Sequence, residues 1–260
     1  MTAADALLDS VVRAEKLLVA LDFDGTLAPF EADPMRARAT PEARRAVARL
    51  AAAPGVTVAF VSGRSLADLR VIAEHDDASP IWLEGSHGAE QWRPGGAPVP
   101  AAPEAPPESP AVLEAAHRAA EGFEGAWIED KRFGFGLHTR TSPEGVEPRA
   151  QAALDGIVAD LAPTWRRREG KHVLEFAWRH EGKDDAVARL REETAADAVV
   201  FAGDDVTDED ALASLRDGDL GIRVGAGPTA ARLTVADTPA LAEVLEQLAA
   251  RRASRNPPRE

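Results

Sequence analysis

Cysteine is absent from this 260-residue sequence, and so is tyrosine. Without a thiol there is no disulfide framework, no thiolate nucleophile, no zinc ribbon and no iron–sulfur cluster, and those chemistries leave consideration at once. Basic residues are scarce as well. Thirty Lys and Arg face 44 Asp and Glu, a formal charge of −14 with His neutral. A surface of that sign repels nucleic acid on average, so no nucleic-acid partner is expected, and chemistry on an anion calls for a metal or a focused cationic site. Long apolar runs are also missing. None approaches the roughly 18 residues of a membrane span, and no membrane partner is expected. The opening residues, MTAADALLDSVVRAEK, carry acids and lack the basic stretch followed by an apolar core that marks a secretory signal, so a cytoplasmic location is expected. What is present, 45% hydrophobic and 28% charged residues, suits a globular protein long enough for one large domain or two modest ones.

Short apolar runs at 17–21 (LLVAL), 56–61 (VTVAFV), 81–83, 199–202 and 220–224 read as strands buried on both faces. Helical stretches at 41–53, 66–74 and 184–193 alternate with them, the first opened by Thr40 as N-cap and Pro41 in the first turn. This alternation predicts an α/β fold with a doubly wound parallel sheet. Seven prolines between 94 and 110 break the rhythm and exclude both helix and central strand there. Beyond them, 111–120 and 147–161 read as helices, while 126–129, 133–139, 164–168 and 172–178 read as strands. Two strands after each helix predict a small α+β unit with its own sheet. The expected organisation is a core in two pieces, 1–107 and 181–260, with an inserted α+β domain at 108–180. The polar tail 251–260 is expected to be frayed.

Chemistry concentrates at the ends of the predicted strands. Asp22 and Asp24 in LDFDGT stand two apart after an apolar strand, so persisting strand geometry would place both carboxylates on one side. Ligands bind beyond the carboxyl ends of strands in such sheets. A DxD pair alone would as readily be a turn with a capping Asp; DxDGT after a buried strand is far more specific. A second cluster, Asp204, Asp205 and Asp208 in GDDVTDED, again follows an apolar strand. Packing those acids within one turn costs repulsion unless a cation or hydrogen bonds compensate, and an oxygen-rich site of this kind suits Mg²⁺. Alone, it would equally be the acidic start of a helix. Ser62 and Gly63 in VSGR offer a hydroxyl and backbone N–H groups to phosphate oxygens, and Lys183, at a predicted helix start, offers a cation. Each is a weak signal by itself.

Taken in order, LDFDGT, VSGR, Lys183 and GDDVTDED resemble the four motifs of haloacid dehalogenase superfamily phosphatases, and the inserted domain resembles the cap of the subclass acting on sugar phosphates. More narrowly, GSHGAE at 85–90, IEDKRFGFGLHTR at 128–140, KHVLEF at 171–176 and VFAGDDVTDEDA at 200–211 resemble the trehalose-6-phosphate phosphatase family. The resemblance implies an aspartyl-phosphate mechanism in which Asp22 attacks phosphorus and Asp24 serves as acid and then base. It implies Mg²⁺ held by the Asp22 carboxylate, the Asp24 backbone carbonyl and Asp204, with Asp205 or Asp208 behind them or on a water. Ser62, Gly63 and Lys183 would hold the phosphoryl oxygens. Glu129, Lys131 and Glu175 match positions that bind disaccharide hydroxyls, with Arg140 and His87 as further candidates. Without the family, the first three would read as an exposed strand face of alternating charge. The chain departs from the family pattern at Thr139, where an aromatic residue is common, and at GKDD, where DKG is common. Implied partners are a small sugar phosphate and, through function, a trehalose-phosphate synthase. Phosphatases of sucrose, mannosylglycerate or glucosylglycerol phosphate share this core and stay open. A non-catalytic phosphatase-like module ranks behind them, since Asp22, Asp24, Lys183 and Asp204 are all present.

Overall fold

The structure, a computed structural model, describes residues 3–31, 33–96, 99, 103–170 and 172–255. Along the chain, α1 (Ala3–Val12) leads to β1 (Leu17–Leu21), α2 (Pro41–Ala51), β2 (Val56–Val61), α3 (Leu66–Ile72), β3 (Trp82–Gly85) and β4 (Glu90–Trp92). Then come α4 (Ser109–Ala120), β5 (Trp127–Lys131), β6 (Gly134–His138), α5 (Val146–Leu161), β7 (Arg166–Gly170) and β8 (Val173–Ala177). The last stretch holds α6 (Lys183–Thr194), β9 (Ala198–Gly203), α7 (Val206–Ser214), β10 (Leu220–Val224), β11 (Leu233–Val235) and α8 (Thr238–Arg255). Two compact units result: Met1–Pro100 with Glu181–Glu260, and Ala101–His180.

In the first unit seven strands run in the order β11-β10-β9-β1-β2-β3-β4. The apolar run of β1 is buried along its whole length because both faces of the sheet are covered. Leu17, Val19 and Leu21 pack into the core shared with α1, α2, α3 and α8, whereas Leu18 and Ala20 pack into the one shared with α6 and α7. This is the α/β doubly wound arrangement, with one correction: β4 runs antiparallel to β3. The chain reverses through a single 3-10 turn at Ser86–Gly88, and a return that short leaves only antiparallel pairing. Thr40 caps α2 through Ala43 N, with Pro41 in the first turn.

The second unit carries a four-stranded antiparallel sheet, β5-β6-β8-β7. Ile128, Phe135, Leu137, Leu174 and Phe176 cover one face and pack on Val112, Ala116, Leu154 and Val158 of α4 and α5. Strand alternation turns Glu129, Lys131, Gly136, His138 and Glu175 to the opposite face.

Two further readings change. Pro110 lies in the first turn of α4, where proline needs no N–H partner. The polar end 251–255 is not frayed: it is the last turn of α8, and Arg252 is 2% exposed, its guanidinium spent on the carbonyls of Val12, Ala14, Glu15 and Pro54. The rest of that tail, 256–260, lies outside the described residues, as do Pro98 and Pro100 of the proline-rich stretch and Lys171 of KHVLEF. Among the described residues no helix is long and apolar enough to cross a membrane.

Candidate active site

Strands β1 and β9 are neighbours in register Leu21 to Ala202, so the acids that follow them emerge side by side at the carboxyl edge of the sheet. The Asp22 N–H extends the ladder, donating to the Ala202 carbonyl at 2.9 Å. The chain then leaves the sheet at Gly25, whose φ of +79° favours glycine and whose Cα is covered by the Asp204 carboxylate, so that a Cβ would lie 2.2 Å from Asp204 Oδ2. Thr26, fully buried, sits with Oγ1 at 3.1 Å from Asp22 Oδ2 and 3.2 Å from Asp204 Oδ1. Lys183, the first residue of α6, is 3% exposed and donates to Asp22 Oδ1 at 2.7 Å and Asp208 Oδ1 at 2.6 Å. The other Asp208 oxygen accepts the N–H groups of Asp204 and Asp205 at 3.0 and 2.9 Å, fixing the start of α7. Asp205 caps that helix and accepts from Val206 N.

Asp22, Asp204 and Asp208 each offer a carboxylate oxygen within 4.8 Å of the others. Three carboxylates face the single ammonium of Lys183, and one Thr26 hydroxyl proton cannot serve two carboxylate oxygens at once. The donor set therefore has surplus negative charge and surplus acceptors, which fits a hard divalent cation. Asp208 has both oxygens engaged by Lys183 and backbone N–H donors, whereas Asp22 Oδ2 and Asp204 Oδ1 share the one Thr26 proton, so Asp22 and Asp204 are the residues better placed to hold one. Electrostatics tells the same story. Burial raises Asp22 well above the usual carboxylate range against the pull of Lys183, and burial with the Asp208 charge raises Asp204 to about 7. Lys183 is opposed by its own burial, but Asp208 and Asp22 outweigh this and hold it protonated.

A pH dependence follows for the cation-free chain. With Asp204 near 7 when folded and 3.8 as the reference, the folded state keeps a proton that the unfolded state releases, so stability falls as pH rises between those values. Melting in chelator should show wild type losing more Tm from pH 5 to pH 7 than Asp204→Asn, which cannot titrate there. Equal slopes would contradict this account.

Asp24 does not join the cluster. Strand geometry ends at Leu21, and the Asp24 carboxylate turns to Arg64, whose Nε and Nη2 approach Oδ2 and Oδ1 at 2.6 Å each. Ser62 is 2% exposed at the end of β2; its N–H donates to the Glu84 carbonyl and its hydroxyl accepts from Arg64 N. The buried His87 ring packs on Gly63, and its backbone, left-handed at φ 57°, donates to the Ser62 carbonyl. Glu84, fully buried, accepts from Arg93 and Arg189, which ties β3 to α6, the helix that begins with Lys183. Burial lifts the Glu84 carboxyl above its usual range in spite of both arginines. The side-chain contacts of Thr26, Arg64 and Glu84 emerge only in the structure. Thr26 and Arg64 stand inside the motifs, but side-chain pairing across strands leaves no local signal.

On the second unit, Lys131 bonds Glu175 at 2.7 Å and lies 3.9 Å from Glu129, which in turn bonds His138 at 2.8 Å. Gly136 sits between them on β6; a Cβ there would come within 3.3 Å of Lys131 Cε and 3.6 Å of Glu129 Oε2. The His138 bond lowers the Glu129 pKa. Burial opposes the Lys131 charge, yet Glu175 and Glu129 raise its pKa overall. Trp127, 51% exposed, stacks on His138 at 4.1 Å. Arg140 lies in the exposed turn after β6.

A family model described as trehalose-phosphatase matches residues 20–242. The chain belongs to this family. The match runs from within β1, just before Asp22, into α8 and takes in both units. A family relative, the bifunctional trehalose-6-phosphate synthase/phosphatase of Thermoproteus tenax, is 30% identical over 94% of this chain but only 33% of its own length. The trehalose-6-phosphate phosphatase of Escherichia coli is 29% identical over 87% of this chain and 84% of that protein. Among solved structures, the C-terminal domain of a trehalose-6-phosphate phosphatase from C. albicans superposes with a TM-score of 0.82 over 96% of this chain and 97% of that one; at 22% identity it shows the shared fold.

Proposed function

We propose that this chain hydrolyses trehalose 6-phosphate to trehalose and phosphate through a phosphorylated Asp22. The observation that carries the reading is the buried Asp22 carboxylate, held by Lys183 beside Asp204 at the carboxyl edge of the central strand, in a chain of the trehalose-phosphatase family. In this reading Asp22 attacks phosphorus as the bond to the sugar oxygen breaks, and Asp24 delivers a proton to that oxygen. Water then attacks the phosphorylated Asp22, Asp24 takes its proton, and the Asp22 carboxylate returns with phosphate released. Lys183 and the Ser62–Gly63 turn hold phosphoryl oxygens. Asp22 and Asp204, with the Asp24 carbonyl, would hold Mg²⁺, which when bound supplies positive charge between the carboxylates and the phosphate. In the same reading the Thermoproteus tenax relative, named as both synthase and phosphatase, supports functional coupling to an enzyme that makes the substrate.

Phosphate release should require Mg²⁺ and vanish in chelator. Undiminished turnover without metal would remove the mechanism, and no release from any sugar phosphate would leave a binding module.

Glu129, Lys131 and Glu175 would select the sugar, a carboxylate accepting from hydroxyls and the ammonium donating to them. Replacing any one by Ala should slow hydrolysis of trehalose 6-phosphate about ten- to a hundredfold, since a hydrogen bond to a charged group is worth on the order of 1.5–3 kcal/mol and each ~1.4 kcal/mol is tenfold in rate. p-Nitrophenyl phosphate, with no disaccharide to recognise, should be nearly unaffected. Equal losses on both esters would assign these residues to folding; no loss on either would reopen the choice among sugar phosphates.

A further inference from the structure

Arg64 commits two donors to one carboxylate: Nε to Asp24 Oδ2 and Nη2 to Asp24 Oδ1, each at 2.6 Å. The paired side chains are 17% and 27% exposed, shielded enough for the contact to set an orientation. Arg64 is itself braced through its backbone. Its N–H donates to Ser62 Oγ, and its carbonyl accepts from Ser86 N at 2.6 Å. Ser86 is left-handed at φ 49° and is held there by Glu90, whose Oε2 takes the Ser86 hydroxyl and the Leu66 N–H at the start of α3. The fork thus issues from a loop braced by these bonds and reaches the residue after Phe23, just beyond the end of β1. Without that fork, Asp24 is an acidic side chain two positions from Asp22, beside a cluster of carboxylates that fits a cation.

We infer that Arg64 is the positioning residue for Asp24: its planar fork fixes both carboxylate oxygens, holds them apart from the Asp22–Asp204–Asp208 group, and aims them where the leaving oxygen departs. The inference rests on the acid–base role proposed for Asp24. Arg64 gains and loses no proton in either half of that reaction; it acts only through the direction of its partner. A lysine supplies the charge without the two-point geometry, and so replaces it incompletely.

The test compares kcat and KM on trehalose 6-phosphate and on p-nitrophenyl phosphate, whose leaving oxygen needs little protonation. The proteins are wild type, Arg64→Gln, Arg64→Lys, Asp24→Asn and the double variant Arg64→Gln/Asp24→Asn, each checked for an intact melting transition. Arg64→Gln should lower kcat on the sugar ester about a hundredfold, the scale expected for a misplaced reacting group. KM should stay within about threefold and the aryl ester should be nearly unaffected, with Arg64→Lys between the two. The double variant should be no slower than Asp24→Asn alone, because a residue that acts only through Asp24 has nothing left to position.

Equal losses on both esters, or losses that multiply in the double variant, would overturn the inference and assign Arg64 to the phosphoryl group or to folding. A selective loss in Asp24→Asn with unchanged Arg64→Gln would overturn it while leaving the acid–base role standing. An unselective loss in Asp24→Asn would instead remove the acid–base role itself. Should Arg64→Gln fail to fold, Arg64→Lys carries the same comparison.

Discussion

Asp22→Asn should release no phosphate from trehalose 6-phosphate above the background of a heat-killed sample, a loss of at least about 10⁴-fold, the scale seen when a nucleophile is removed. The amide keeps the shape of the side chain, and its carbonyl oxygen still accepts from Lys183 Nζ. The fold should therefore survive, and in chelator Tm should rise slightly, because one buried carboxylate fewer faces Asp204 and Asp208. Phosphate release in wild type and variant, followed with both the sugar ester and an aryl ester, checks the expectation. Substantial turnover of either ester by the variant would rule out the aspartyl-phosphate route.

Lys183→Met should be costly in two ways. The ammonium is buried and bonds two carboxylates that are themselves buried. Removing one partner of a buried ion pair costs about 3–5 kcal/mol, and at roughly 2–4 °C per kcal/mol for chains near this size the melting temperature should fall by about 6–20 °C. Mg²⁺ should recover part of that loss by neutralising the same oxygens, while activity stays far below wild type because the ammonium proposed to hold the phosphoryl oxygens is gone. Calorimetry with and without Mg²⁺ separates the two effects. An unchanged Tm would mean that the three carboxylates do not repel one another as their geometry requires.

The strands flanked by helices on both faces were plain in the sequence, because LLVAL and VVFA have no polar residue to spare for solvent. Strands β4 and β11 were not. EQW is polar, three residues long and sits at a sheet edge, where one partner suffices and alternation has no room to show. Helix α8 offered a signal in Leu241, Leu245 and Leu248, spaced for one face. Its last turn offered none, since Arg252 is buried by carbonyls from the far end of the chain. The acids and Lys183 could be singled out from motif order. Their partners could not: whether Asp24 meets Asp22 or Arg64 depends on where β1 stops and on the turn after β3, and neither is written near residue 24.

The order of strands also bears on how the site comes into being during synthesis. Leu21 lies beside Phe60 on one side and Ala202 on the other, so the central strand gains its first neighbour early and waits for the second. The Lys183 ammonium that neutralises Asp22 stands 161 residues downstream. At about 5–20 residues per second that is a delay of roughly 8–32 seconds, during which the strand that leads to Asp22 has one open edge and an uncompensated acid at its tip. The second unit, complete in sequence by His180, is made wholly within that interval. A nascent chain halted before residue 183 would therefore hold half of a parallel sheet and the two acids of its first motif, with a hydrogen-bonding edge exposed to any chaperone or neighbouring chain able to pair with it.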